Sequence, residues 1–225
     1  MTTDFTTTLV APKILHISFA DRTDLAMTFV RYQEYYESDN KDFYRKCFKL
    51  EDYKKWYSEE RGDGEWTYCT DWSGFNIPGW VLKDIWQSKV YQEDKTKHDE
   101  IMQMIVSRNF DIFTVGFDFY LIGTTHGATK TLRHEIAHGL YSTNPNYKKN
   151  AQKLIAALPS SIKTPFYEWL GKIGYASDVF EDELQAYFSA PGQAKGIQML
   201  LESNLASESI FMPFIKNFDN HYQEK

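Results

Sequence analysis

The hydrophobic positions along the chain predict short strands in its first half and helices through most of its second half. Residues 13–19 are rich in β-forming side chains and read as a first strand. Residues 21–38 repeat apolar side chains every three or four positions, which predicts an amphipathic helix. By the same spacing, further helices are expected over residues 50–59, 92–108, 145–158, 166–170, 178–188 and 193–218, the last with a break near Pro213.

Two central segments are less regular in pattern. Residues 110–115 and 117–123 are rich in aromatic and β-branched side chains, which predicts two strands joined near Gly116. Residues 66–80 mix aromatic with turn-forming residues and are unlike a regular strand. We expect them to form a structural loop, and a wall of a substrate site is the alternative interpretation.

Composition limits the choice of architecture and partners. The chain has 225 residues, of which 42% are hydrophobic, enough to bury one substantial core. We therefore expect a single α+β domain over residues 1–225, with an N-terminal part at 1–109, a core at 110–190 and C-terminal helices at 191–225. The net charge of −6, without a strongly basic region, argues against a nucleic-acid partner.

The sequence also carries expectations about location. Residues 1–12 have no basic and apolar pattern of a secretory signal, and no apolar run approaches membrane-spanning length. The two cysteines, Cys47 and Cys69, have no metal-binding spacing and are expected to be free, packed thiols. These features predict a cytoplasmic protein without a membrane partner.

The chemical signal is the run His134-Glu135-Ile136-Ala137-His138. Positions four apart differ by only about 40° around a helix, so both imidazoles can project onto one metal ion. Glu135 lies beside them, where it can hold a metal-bound water without ligating the metal. The plainer alternative is that both histidines are core residues, in which case each buried polar group needs a partner to offset desolvation.

A catalytic zinc usually takes three protein ligands, so a third is required. Tyr141 and Asn144 stand where a metzincin would have glycine and histidine, which disfavours that class. The predicted helix 178–188 offers Glu183, whose side of the helix carries small neighbours that permit a close approach. The alternatives that stay open as third ligand are Glu181, Asp178, Asp182 and Glu168.

At these residues the chain resembles the zincin-like metallopeptidases, and within them the gluzincin group, over about residues 110–190. The resemblance implies one zinc ion held by His134, His138 and Glu183, with Glu135 as general base. It also implies a zincin-like α+β fold, in which a small mixed sheet packs against the metal-bearing helix. One departure is the spacing: Glu183 lies 45 positions after His138 (183 − 138), a longer interval than in thermolysin-type enzymes, and Leu158 stands near the thermolysin position.

The function predicted from the resemblance is a zinc metallopeptidase acting on a peptide or protein substrate. Residues 120–123 are expected to form an edge strand that aligns the substrate, or else a plain core hairpin. The residues chemically able to stabilise the oxyanion are Tyr141, Tyr147, Tyr187, Arg133 and His221. The alternatives are a zinc-containing binding protein without activity and a zinc hydrolase of a non-peptide amide.

Overall fold

The computed structural model describes residues 3–109, 117–192 and 194–222. The chain divides into two compact units, residues 1–131 and 132–225. The fold class is α+β, as predicted, with a small mixed sheet and a predominance of helix. The expectation of a single domain stays a prediction, and the two units are described separately below.

The first unit contains the sheet and six helices among its described residues. The four strands are β1 (Phe5–Ala11), β2 (Ile14–Phe19), β3 (Gly74–Pro78) and β4 (Tyr120–Thr125). The helices are α1 (Arg22–Glu37), α2 (Leu50–Glu60), α3 (Tyr68–Asp71), α4 (Gly79–Trp86), α5 (Lys89–Glu93) and α6 (Lys97–Arg108).

The strand order β1-β2-β4-β3 places β4 inside the sheet. It runs parallel to β2, with Ile14 opposite Tyr120, and antiparallel to β3, with Pro78 opposite Tyr120. The prediction that residues 120–123 form a substrate-aligning edge strand is therefore wrong. Both sides of β4 already hydrogen-bond to neighbouring strands, so its backbone cannot add another one.

Two other predictions in this unit need correction, and one strand was missed. Residues 66–80 are not a loop, because they contain α3, β3 and the start of α4. The helix expected over 92–108 is divided between α5 and α6, and α6 begins at a capping box formed by Thr96 and Asp99. Strand β1 lies in the threonine-rich N-terminus and was not predicted. The strand expected at 110–115 lies outside the described residues.

The core of the first unit lies on one face of the sheet. Alternate residues of β2, Leu15, Ile17 and Phe19, are fully buried there together with the α1 residue Phe29. A Cβ atom added at Gly123 of β4 would lie only 2.4 Å from the Phe29 ring. Glycine is therefore required where α1 crosses β4, because a methyl group cannot fit in that space.

The second unit contains helices and no strand among its described residues. Its α-helices are α7 (Thr129–Thr143, in this unit from Leu132 onward), α8 (Pro145–Ala157), α9 (Ser160–Lys172), α10 (Phe180–Ser189), α11 (Lys195–Glu202) and α12 (Met212–His221). Short 3-10 turns span Ser177–Val179 and Glu208–Ile210. The core of this unit includes three phenylalanine rings that pack edge to face, those of Phe166, Phe188 and Phe214.

The first turns of α8 and α12 contain residues that favour the start of a helix. The Asn144 side chain accepts hydrogen bonds from the backbone N–H groups of residues 146 and 147, and Pro145 occupies the first turn of α8. Pro213, in contrast, does not break a helix. It lies in the first turn of α12, where a missing N–H costs nothing, and the interruption of the helix comes before it, between α11 and α12.

No helix in the described part of the chain combines the length and apolar character needed to cross a membrane.

A buried carboxyl in α1 should make the stability of the protein depend on pH. Burial raises the pKa of Glu34 to about 7 from 4.5, although the Tyr68 hydroxyl donates a hydrogen bond to its Oε1 at 2.7 Å. Between these two pH values the folded chain holds a proton that the unfolded chain has lost. We therefore expect this group's contribution to the free energy of unfolding to fall by up to about 3 kcal/mol as pH rises from about 4.5 to above 7.

Urea unfolding of the wild type and Glu34→Gln between pH 5 and pH 8 measures this effect. The variant should lose stability less steeply with rising pH, because its amide does not ionise. Glu59→Gln, on the exposed side of α2, is the matched control and should follow the wild type. Parallel curves for the wild type and Glu34→Gln would contradict the assignment.

Candidate metal centre

Helix α7 brings the two histidines of the motif together. The Nε2 atoms of His134 and His138 lie 3.1 Å apart, and the ring centroids are 4.8 Å apart. His138 is 1% exposed and Glu135 is 6% exposed, so the motif lies on the buried side of the helix. The four-residue spacing therefore turns both Nε2 atoms toward one point, as the helical geometry predicts.

Helix α10 brings Glu183 to the same point. Its Oε2 lies 3.8 Å from His134 Nε2, and its Oε1 lies 3.5 Å from His138 Nε2. The side chain is almost fully buried, and the backbone of Ala186, one turn further along, contacts the His134 ring through a hydrogen bond. The small side chain at Ala186 permits this approach, as expected from the sequence.

The spacing of these donor atoms fits one small ion. Ligand atoms at about 2.0–2.2 Å from a tetrahedral zinc lie about 3.3–3.6 Å from each other. The two Nε2 atoms lie 3.1 Å apart, and different oxygens of Glu183 lie 3.5 and 3.8 Å from them, so that one ligand atom from each residue lies within 4.8 Å of the other two. His134, His138 and Glu183 could therefore hold a metal ion after a side-chain movement that brings one Glu183 oxygen toward both imidazoles.

A second carboxylate orients His138 from its other side. Asp182 Oδ1 lies 3.0 Å from His138 Nδ1, although the angle is not that of a regular hydrogen bond. The same oxygen accepts a hydrogen bond from Gln185 Nε2 at 2.9 Å, and Gln185 also donates to the Ala137 carbonyl. The Tyr147 hydroxyl, fully buried, donates to Gln185 Oε1 at 2.6 Å. This chain of contacts fixes the carboxylate against the imidazole.

The pKa values of the two histidines are shifted in opposite directions. Burial lowers the pKa of His134 well below its usual range, and the charge on His138 lowers it further. Burial also acts to lower the pKa of His138, but the carboxylates of Asp182, Glu183 and Glu135 outweigh it and raise that pKa well above its usual range. Burial raises the pKa of Glu183 to about 8. The site therefore favours a positive charge beside a neutral imidazole.

The arrangement leaves buried polar atoms without regular partners. Within the described residues, Glu183 Oε2 and His138 Nδ1 make no hydrogen bond of regular geometry. The Glu183 carboxyl has a side-chain hydrogen bond with Tyr175, but a buried oxygen that is left without a hydrogen bond costs free energy. A cation bound between His134, His138 and Glu183 would offset that cost, so the donor set fits a metal ion.

The other acidic residues considered as third ligand lie elsewhere. Glu181 and Asp178 line a cleft whose lining residues do not include the two histidines, and Glu168 belongs to α9. Asp182 approaches the Nδ1 atom of His138, on the opposite side of the ring from His134. Among the described residues, only Glu183 completes a group of three with the two histidines. Metal ligation itself stays a prediction.

The residues considered for the oxyanion differ in their surroundings. Arg133 bonds to the Ser189 carbonyl and Asp219, Tyr147 to Gln185, and His221 to the Asn217 carbonyl. The Tyr187 ring packs 4.5 Å from the His134 ring, and Tyr141 lies three residues after His138 on α7. Of these residues, Tyr187 is the one whose ring contacts a metal-binding imidazole.

Sequence reasoning missed the supporting residues. It considered Asp182 only as a ligand and did not consider Gln185, whose role depends on how α10 packs on α7. The only signal in the sequence was the presence of two polar residues, Asp182 and Gln185, three apart on a helix whose other face is apolar.

Searches against protein-family models, curated proteins and solved structures found no match for this chain. The resemblance to zincin-like metallopeptidases therefore stays a prediction from the motif.

The hydrogen-bond chain behind Asp182 should contribute to stability. Tyr147→Phe removes the hydroxyl that donates to Gln185 and leaves that buried amide oxygen without its donor. We expect a loss of about 1–3 kcal/mol in the free energy of unfolding, the usual cost of an unsatisfied buried group. Denaturant unfolding of the variant and the wild type measures the difference.

The matched control is Tyr167→Phe, because the Tyr167 hydroxyl belongs to a half-buried side chain. It should change stability by less than about 0.5 kcal/mol. Equal stability of Tyr147→Phe and the wild type would show that the buried network contributes nothing measurable.

Proposed function

We propose that this protein is a zinc-dependent hydrolase, most simply a metallopeptidase, with His134, His138 and Glu183 as metal ligands. The observation that carries the proposal is the meeting of two imidazole Nε2 atoms and one buried carboxylate at separations of 3.1, 3.5 and 3.8 Å. Two nitrogen donors and one oxygen donor are the set that catalytic zinc sites use when a fourth position is kept for water.

The position of Glu135 supports a hydrolytic role over a structural one. Glu135 follows His134 directly on α7, is buried, and its charge affects both His138 and Glu183. A structural zinc usually takes four protein ligands and needs no additional base. A buried carboxylate next to three donors is instead the arrangement that a general base requires.

Each residue of the site has its own role in the proposed hydrolysis. When bound, zinc would supply a Lewis acid and lower the pKa of a water molecule to about 7. The carboxylate of Glu135 accepts the proton of the attacking water and later delivers it to the departing amine. Asp182 holds the His138 ring in place, as carboxylates behind metal-binding histidines commonly do. Tyr187, whose ring packs against the His134 ring, is the side chain that we assign to stabilising the oxyanion.

Metal content tests the ligand set directly. Protein purified without added zinc should contain close to one zinc ion per chain, measured by plasma mass spectrometry. Glu183→Gln should weaken zinc binding by more than about 100-fold, because losing a direct ligand exceeds the 10- to 100-fold cost of losing an outer-shell partner. A competition titration with a fluorescent chelator gives the affinities.

Two variants control for nonspecific effects on the metal. Glu135→Gln should retain zinc, because this residue is not a ligand, and Glu181→Gln removes a charge from the same helix as Glu183 without touching the donor set. Folded wild-type protein that binds no zinc after addition of the ion would overturn the proposal and make both histidines core residues.

Hydrolysis tests the role of Glu135. The wild type should cleave members of a library of internally quenched peptides, and Glu135→Gln should reduce kcat by about 10²- to 10⁴-fold, the usual contribution of a general base. Retention of zinc by the variant would show that the loss is chemical. A wild type that binds zinc but cleaves neither peptides nor small amides would favour a zinc-containing binding protein.

A further inference from the structure

The first unit carries an exposed arginine that is held by aromatic rings. The guanidinium carbon Cζ of Arg45 lies 4.4 Å from the centroid of the Trp80 ring. The same atom lies 5.2 Å from the ring centroids of both Tyr36 and Tyr44. At these distances the negative faces of the rings attract a guanidinium. The charged end of Arg45 is therefore held at a defined place on the surface of this unit.

The backbone and the neighbouring helices fix the same position. Arg45 belongs to the segment between α1 and α2, and its N–H donates a hydrogen bond to the Tyr35 carbonyl of α1 at 2.9 Å. Tyr36 belongs to α1 and Trp80 to α4, and their rings pack edge to face with centroids 5.8 Å apart. Because two helices supply the rings and a hydrogen bond ties the segment to one of them, the arginine side chain is preorganised.

The guanidinium of Arg45 makes no side-chain hydrogen bond and no ion pair among the described residues. Four other arginine side chains donate hydrogen bonds to oxygen atoms of the chain, those of Arg22, Arg31, Arg61 and Arg133. The adjacent cation, Lys46, is paired with Asp42 at 3.7 Å. Aromatic rings attract a guanidinium without using the N–H donors that lie in its plane, so these donors are available to an oxygen acceptor.

The surroundings of Arg45 favour an acceptor with one negative charge over one with two. Burial and the charge of Asp84 raise the pKa of Tyr35, whereas the charge of Arg45 lowers it, so both charges lie near this hydroxyl. A doubly charged phosphate would meet one guanidinium and a repelling carboxylate, but a single carboxylate is matched by the guanidinium alone. The net charge of −6 on the whole chain acts over distances at which salt screens it.

We propose that Arg45 and the three rings around it form an anchor surface that binds an aspartate or glutamate side chain of a protein partner. The anchor surface consists of Arg45, Tyr36, Tyr44 and Trp80, all within the first unit. Arginine, tryptophan and tyrosine are enriched among the residues that contribute most to protein–protein binding. The carboxylate accepts two parallel hydrogen bonds from the guanidinium, which the rings hold in place. This inference is independent of the proposed hydrolase function.

Peptide selection on the full chain tests the chemistry of the partner. A phage-displayed library of random dodecapeptides is selected on the wild type and counter-selected on Arg45→Gln. The recovered peptides should contain aspartate or glutamate. As fluorescent synthetic peptides they should bind the wild type at least about tenfold more tightly than Arg45→Gln, equivalent to about 1.4 kcal/mol. Fluorescence anisotropy gives the dissociation constants. Replacing the acidic residue of the peptide by its amide should weaken binding to the wild type but not to Arg45→Gln.

Three further variants separate the anchor surface from a general effect of charge. Arg45→Lys keeps the charge but loses the planar pair of donors, and it should bind at least about threefold more weakly than the wild type. Asp84→Asn removes the nearby carboxylate and should strengthen binding. Lys46→Gln is the matched control, because it removes a positive charge from the next residue, and it should change the dissociation constant less than about twofold. Urea unfolding shows that each variant is folded.

Several outcomes would overturn the proposal. Selection that recovers no peptide dependent on Arg45, or only peptides without an acidic residue, would show that the anchor surface does not bind a carboxylate. A loss in Lys46→Gln as large as that in Arg45→Gln would show that only general charge attracts the peptide. A peptide with phosphoserine in place of its glutamate should bind no more tightly than the original, and tighter binding would make the anchor surface a phosphate site instead.

Discussion

The burial of the Glu183 carboxylate beside two imidazoles is the constraint on which the candidate site depends. A carboxylate removed from water costs several kcal/mol unless a positive or hydrogen-bonding partner replaces the solvent. Burial raises the pKa of Glu183 to about 8, because the charged form of the carboxyl is disfavoured there. The charge of His138, whose own pKa is raised by the surrounding carboxylates, and a side-chain hydrogen bond with Tyr175 act in the opposite direction and offset only part of the effect of burial.

The packing of α10 on α7 sets this arrangement. Ala186 and Ala137 are both fully buried, and each contributes a backbone contact, from Ala186 to the His134 ring and from the Ala137 carbonyl to Gln185. Larger side chains at these positions would separate the helices and withdraw Glu183 from the imidazoles. The buried Tyr147 hydroxyl then holds Gln185, so that the polar groups behind the site are fixed by hydrogen bonds as well as by packing.

The parts of the fold that depend on local sequence could be predicted, and those that depend on distant pairing could not. Helices α1, α2 and α8 follow from apolar periodicity and, for α8, from its capping residues, because these signals act within a few residues. Strand β3 could not be predicted, since residues 74–78 become a strand only by pairing with β4 across more than forty positions. The misplaced edge strand has the same cause, because the position of β4 within the sheet depends on β3.

Within the candidate site, too, the features that depend on local sequence could be predicted and those that depend on tertiary packing could not. The meeting of His134 and His138 follows from helical geometry alone, and the choice of Glu183 followed from the small residues beside it. The difference between Asp182 and Glu183 did not follow, although the two are adjacent in sequence. Successive residues on a helix differ by about 100°, so one carboxylate points to the Nε2 atoms while the other passes behind the His138 ring. Their separate roles arise because the rotation of α10 about its own axis is set by tertiary packing, which a single sequence does not specify.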